Sequence, residues 1–149
     1  MNTNLSTDIK NPFIGTWRIV SADLERNGES QPAFGRRPIG FLTFTKDMHF
    51  VEVLMDADTP HFANGDIGQG TDEENRAVVA KTIGICGSYK VSAAGEFLGD
   101  TVEVCTFPNW IGDVRTQKEI IAKIEGSRLS EEFHQPAGAV IRLVWQRVD

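Results

Sequence analysis

The chain has 149 residues, 40% of them hydrophobic and 24% charged, and a formal net charge of -6. That length fits one domain with a single core. An acidic balance with no cluster of Lys or Arg excludes a nucleic-acid surface and argues against docking on anionic membranes. No uncharged apolar run approaches the ~20 residues of a membrane-spanning helix.

Met1 to Asp8 carry no apolar stretch of the kind that directs secretion, so the expected location is the cytoplasm. Residues 1–12 are expected to be flexible. From Phe13 onward, short alternating apolar runs follow one another. Gly15–Leu24, Ile39–Thr45 and Met48–Asp56 read as strands, the last two joined by a tight turn at Lys46-Asp47. Thr71-Asp72-Glu73-Glu74 is a capping box with three carboxylates in the first turn, which predicts a short helix to about Lys81. Strands resume at Gly84–Val91, Phe97–Phe107, Val114–Ile124, Arg128–His134 and Ala139–Val148, rich in Val, Ile, Thr and Phe.

Eight antiparallel strands and one helix between the third and fourth predict an all-β, up-and-down barrel, closed so that no sheet edge is left exposed. The rival is an open sandwich. Connection lengths support the barrel. The links at Thr45–Met48, Ser92–Glu96 and Glu125–Ser127 are short, while Glu25–Pro38, Ala57–Ile83 and Pro108–Asp113 are long. Alternation puts the long ones at one end, together with Gln135–Gly138, so one end is sealed and the other is a loop-rich mouth.

Gly15-Thr16-Trp17 opens the first strand and Trp145-Gln146-Arg147 ends the last. This resembles the calycin signature, in which a Trp plugs the closed end beneath an Arg. Further stretches make the chain similar to the small bacterial and fungal lipocalin-like domain family. They are Pro32-Ala33-Phe34-Gly35, Pro38-Ile39-Gly40-Phe41-Leu42, Gly87-Ser88-Tyr89 and Phe107-Pro108-Asn109-Trp110-Ile111-Gly112. The resemblance spans about residues 13–148 and implies a lipocalin-like barrel with Trp17 and Arg147 as a structural plug. It carries over no catalytic set, because Ile85 and Asp100 stand where relatives often hold Tyr and His, and Arg115 or Gln117 answers ambiguously to a common Arg.

For the mouth, the candidate ligand contacts are Arg36 and Arg37, whose guanidinium forks suit a carboxylate or enolate, with Asn109, Trp110, Met55 and Phe62. Candidate proton-transfer groups are His61, His134, Tyr89 and Glu103. Glu103 shares a face with Thr101 and Cys105, read as an inner row, whereas Met55 in a family-like stretch favours His49/Val51/Val53/Met55 as the inward face of its strand and leaves Glu52 outside. The three histidines form no metal-binding spacing, and Cys86 and Cys105 read as reduced, buried thiols, so neither metal nor cofactor is expected. The expected partner is a small, mostly apolar ligand, aromatic and acidic ones included, bound by a monomer or homodimer. Two functions fit: a cofactor-independent isomerase, cyclase or lyase of small-molecule metabolism, or a non-catalytic binding protein.

Overall fold

The computed structural model describes residues 10–148. Ten strands form one antiparallel sheet: β1 (Gly15–Arg26), β2 (Glu29–Pro32), β3 (Pro38–Phe44), β4 (His49–Asp56), β5 (Thr82–Val91), β6 (Phe97–Cys105), β7 (Val114–Thr116), β8 (Ile120–Glu125), β9 (Arg128–His134) and β10 (Val140–Val148). One helix, α1 (Asp72–Ala80), lies between β4 and β5. Thr71 caps it, accepting from the Glu74 backbone while the Glu74 carboxylate accepts from Thr71 N–H, as the capping box requires.

Neighbours run β7-β6-β5-β4-β3-β1-β10-β9-β8, with β2 folded back on β1. The sheet curls until β6 and β8 approach, giving a nearly closed lipocalin-like barrel. Two details raise the expected eight strands to ten. Asn27-Gly28, at φ 55° and 80°, makes a tight hairpin turn, so the first strand runs on to Arg26 and returns as β2. The run read as one strand from Val114 to Ile124 breaks at residues 117–119. There Thr116 and Glu119 bond locally: the Glu119 carboxylate accepts from Thr116 N–H at 2.8 Å, and the Thr116 hydroxyl accepts from Lys118 N–H at 3.2 Å. Those bonds compete with the ladder. The first half, β7, pairs with β6 and the second, β8, with β9, so the chain itself steps across the seam. The Gln117 amide donates to Phe97 O at 3.0 Å beside it.

The sealed end is built around Trp17, which is fully buried. Its indole N–H donates to Phe13 O at 3.0 Å, and the Arg147 guanidinium stacks 4.1 Å from the ring centre. Arg147 also donates to Pro12 O and Ile14 O, at 2.7 and 2.9 Å, tying the entering chain to the final strand. Phe13, Phe44, Tyr89 and Phe97 pack edge-to-face and stacked beside it. On the opposite surface of the wall, Ile39, Phe41, Val51, Val53 and Val104 are exposed, with Arg18 lying over Phe41 at 4.7 Å. This outer apolar face explains why β4 defeats the sequence pattern. Both of its faces are apolar, and the buried one is Phe50/Glu52/Leu54/Asp56. Glu52 therefore points inward, contrary to the expectation.

A second reversal occurs in β6. Cys86 pairs with Val104 but Gly87 pairs with Val102, so Glu103 is the extra residue of a bulge. The bulge shifts the alternation: Val102 and Cys105 are buried, while Glu103 and Val104 face solvent. Gly87 permits it, because a Cβ there would stand 1.9 Å from Thr101 O.

Candidate functional site

Inside the barrel lie four charge-bearing groups that no pair of neighbouring sequence positions would reveal: Glu52 on β4, Asp100 on β6, Arg115 on β7 and Glu131 on β9. Each sits on the inward face of its strand, and the three carboxyl residues are at most 6% exposed. Arg115 grips Asp100 at two points, Nε to Oδ1 at 2.7 Å and Nη2 to Oδ2 at 2.8 Å. Its plane rests on Phe133 at 4.8 Å and lies 5.8 Å from Trp110. Glu131 accepts a hydrogen bond from the Trp145 indole at 2.7 Å. Among the described residues Glu52 has no hydrogen-bond partner.

Burial dominates the electrostatics. It lifts Glu131 to about 7, with the Asp100 charge adding and the Trp145 N–H and Arg115 opposing. Glu52 is pushed well above the ordinary carboxyl range by burial, then by the charge of Glu131, against the pull of Arg115. For Arg115, burial works to lower its value, but the bond to Asp100 and the surrounding carboxylates outweigh it. The interior thus holds one fixed ion pair and two carboxyls that keep protons at or near neutrality. No three His, Cys, Asp or Glu side chains among the described residues are placed to hold a metal ion.

Two open clefts flank this interior at the mouth. The larger, about 780 Å³, is lined by Asn109, Trp110, Arg115, Lys118, Phe133 and His134, among others. Between it and the network lies an inner cavity of about 20 Å³, room for about one water, edged by Glu52, Ile83, Ile85 and Leu143. Trp110, Arg115 and Phe133 belong to both and form the partition. A second cleft of about 490 Å³ is lined by Leu24, Ala33, Arg36 and Lys81; it shares Phe34 and Ile141 with the inner cavity.

Of the residues singled out from sequence, Asn109, Trp110 and His134 meet in the larger cleft, and Trp110 reaches the inner cavity as well. Arg36 lines the smaller cleft. Arg37 turns outward and pairs with Asp58 at 2.7 Å, both exposed. Met55 is on the outer face of β4, between Ile39 and Thr82 on the neighbouring strands. His61 is exposed, and Phe62 lies against Gly70 in the long loop. Tyr89 is committed to the sealed end: its hydroxyl donates to Thr45 O and accepts from the Asn11 amide, both at 2.8 Å. Glu103 is outside, as the bulge dictates. Arg115 and Asp100, noted only as points of comparison with relatives, turn out to be the central ion pair. Glu131 was overlooked although Leu129, Glu131 and Phe133 alternate as one buried row.

A sealed base, a single curled sheet and polar groups buried below a loop-rich mouth define a calyx-type small-molecule barrel. The chain belongs to the lipocalin-like domain family, whose model matches residues 14–148. No curated protein and no solved structure matches it. Among the described residues no helix is long and apolar enough to cross a membrane.

Proposed function

We propose that this barrel is a cofactor-free proton-transfer enzyme, an isomerase, cyclase or lyase acting on a small, mostly apolar metabolite. The observation that carries the reading is the convergence of Glu52 and Glu131 in one interior, with Glu52 unpartnered on the wall of the inner cavity. A carboxyl kept protonated can donate to one position of a bound molecule, and the carboxylate so formed can take a proton from another position of it, which restores the acid. Burying such groups is costly, and a barrel that only needed packing could fill these positions with Leu or Val. In this reading the ligand body lies in the larger cleft against Trp110 and Phe133. Its reacting end passes the partition toward Glu52, whose proton meets charge developing there.

Hydrogen–deuterium exchange in heavy water tests this. Cyclic ketones and β,γ-unsaturated enones are incubated with the protein, and deuterium entering next to the carbonyl is followed by NMR. Exchange above buffer that is lost in Glu52→Gln is the expected result. Tight binding of the same probes with no exchange makes the protein a carrier and refutes the enzyme reading.

A further inference from the structure

We propose that the ligand is uncharged and presents a hydrogen-bond-accepting oxygen, of a carbonyl, enone or epoxide, to the Glu52 carboxyl, and that the interior rejects carboxylates. This rests on the reading of Glu52 as the group facing the ligand. It departs from the acidic ligand that Arg36 and Arg37 suggest from sequence.

The first support is the charge inventory. Three carboxyls, Glu52, Asp100 and Glu131, share one guanidinium, Arg115. The side-on edge of that guanidinium, Nε and Nη2, is closed on Asp100 at 2.7 and 2.8 Å, and the Asp100 carboxylate neutralises its charge. An acidic ligand would bring a fourth carboxyl to a site with one cation already spent. The other cations that could recruit an anion lie outside the inner cavity: Arg37 is paired with Asp58, Arg36 lines the smaller cleft, and Lys118 lines the larger one.

The second support is the unspent donor. Glu52 is 6% exposed and has no hydrogen-bond partner among the described residues, yet it borders the cavity. The groups that act on it are Arg115 from β7, Asp100 from β6 and Glu131 from β9, with Cys105 of β6 close by. None donates a hydrogen bond to it, so the ionised form has only the charge of Arg115, already shared with Asp100, to favour it, and the protonated form keeps a free O–H. Apart from Arg115, already paired with Asp100, and the Trp110 indole, the cavity wall is apolar: Phe34, Ile83, Ile85, Phe133, Ile141 and Leu143 offer no side-chain partner. A neutral oxygen at the tip of an apolar molecule satisfies Glu52 and leaves everything else dry.

Calorimetric titration with three probes on one skeleton tests the inference: 2-acetylnaphthalene, 2-naphthoate and 2-naphthylmethylammonium. The ketone should bind at least tenfold more tightly than the naphthoate at pH 6. Its affinity should fall, not rise, once the pH is high enough for Glu52 to lose its proton. Glu52→Leu should weaken the ketone about tenfold at pH 6, the worth of one hydrogen bond. Glu52→Gln, whose amide still donates, should bind it with a flat pH profile, and that variant carries the test should the leucine protein not fold. Naphthoate binding as tightly as the ketone overturns the inference, and so does a folded Glu52→Leu protein that binds the ketone as tightly as the wild type. Ammonium binding that exceeds the ketone and strengthens with pH shows a cation site instead and also overturns it. Failure to bind the ketone at all has the same force. The readout is binding alone, so ketone binding as described without deuterium exchange upholds the ligand class while refuting catalysis.

Discussion

Raising the pH from 5 to 8 should lower the stability of the fold, and Glu131→Gln should remove about 2–3 kcal/mol of that loss. Glu131 is 3% exposed, and burial raises it from 4.5 to about 7. The sign follows from proton counting. Between those two values the native state holds a proton that the unfolded chain has released, so stability declines as pH rises and the contribution is gone above the folded value. At 1.36 kcal/mol for each tenfold change in proton affinity, the whole span is worth about 3 kcal/mol, most of it inside the pH 5–8 window. Glu52, raised by the same burial, acts in the same direction, and the two titrate as a coupled pair. The lowered carboxylates Asp47, Asp58, Glu74 and Glu119 reach their full contribution by about pH 5, outside the window. Gln at 131 keeps an oxygen for the Trp145 indole but has no proton to lose. Urea unfolding followed by tryptophan fluorescence, at several pH values on both proteins, measures the difference, in which the titrating groups remote from Glu131 cancel and its coupled neighbour Glu52 does not. Parallel stability profiles for wild type and variant would show that Glu131 is not held protonated by burial.

Trp17→Ala should lower the unfolding free energy by about 3–5 kcal/mol, because it leaves a cavity under Arg147 and removes the bond to Phe13 O; a urea midpoint near wild type would rule Trp17 out as the plug. Gly87→Ala should destabilise by about 1–3 kcal/mol, since its Cβ meets the Thr101 carbonyl of the bulge; an unchanged melting temperature would refute the tight approach of β5 and β6. The double variant Arg36→Ala/Arg37→Ala should leave both melting temperature and ketone affinity unchanged, as both side chains are exposed and neither borders the inner cavity. Thiol titration should find two free cysteines after denaturation, with half-buried Cys86 reacting before buried Cys105 in the native protein; a missing thiol would contradict that state.

The barrel was legible in the sequence for a physical reason. Strand alternation, turn residues and the short–long rhythm of the connections all follow from local chemistry, and so does the capping box of α1. The interior was harder to read. In β4 the rows Val51/Val53/Met55 and Phe50/Leu54 are equally apolar, so alternation could not say which faced in, and the exposed outer patch took the opposite row from the one expected. In β6 two irregularities of register, at Leu98 and at Glu103, break the simple alternation, so Glu103 faces out while Cys105 stays in; they depend on the pairing with β5 rather than on β6 itself. Arg115 and Asp100 are 15 positions apart and meet only because β7 pairs with β6, a pairing hidden when Val114–Ile124 reads as one continuous strand. Leu129/Glu131/Phe133 was a fair signal, a carboxylate within a strictly alternating apolar row. His134, Asn109 and Trp110 could be placed at the mouth because topology alone fixes which connections and strand ends gather there.

The pairing of β1 with β10, Thr16 opposite Val148 and Glu25 opposite Val140, has a consequence for how the molecule is made. A ribosome releases β1 first, and its main partner emerges about 120 residues later. Until then β1 has β3 along one edge and part of β2, while the edge that will meet β10 waits with its amides and carbonyls open. The plug waits too, because Arg147 arrives with the same late strand. Contacts of such long sequence separation make folding slow and leave a sticky intermediate. Removal of β10 should therefore yield an aggregating sheet rather than a smaller barrel, and substitutions in Leu143 or Trp145 should depress soluble yield in cells more than their equilibrium cost would suggest.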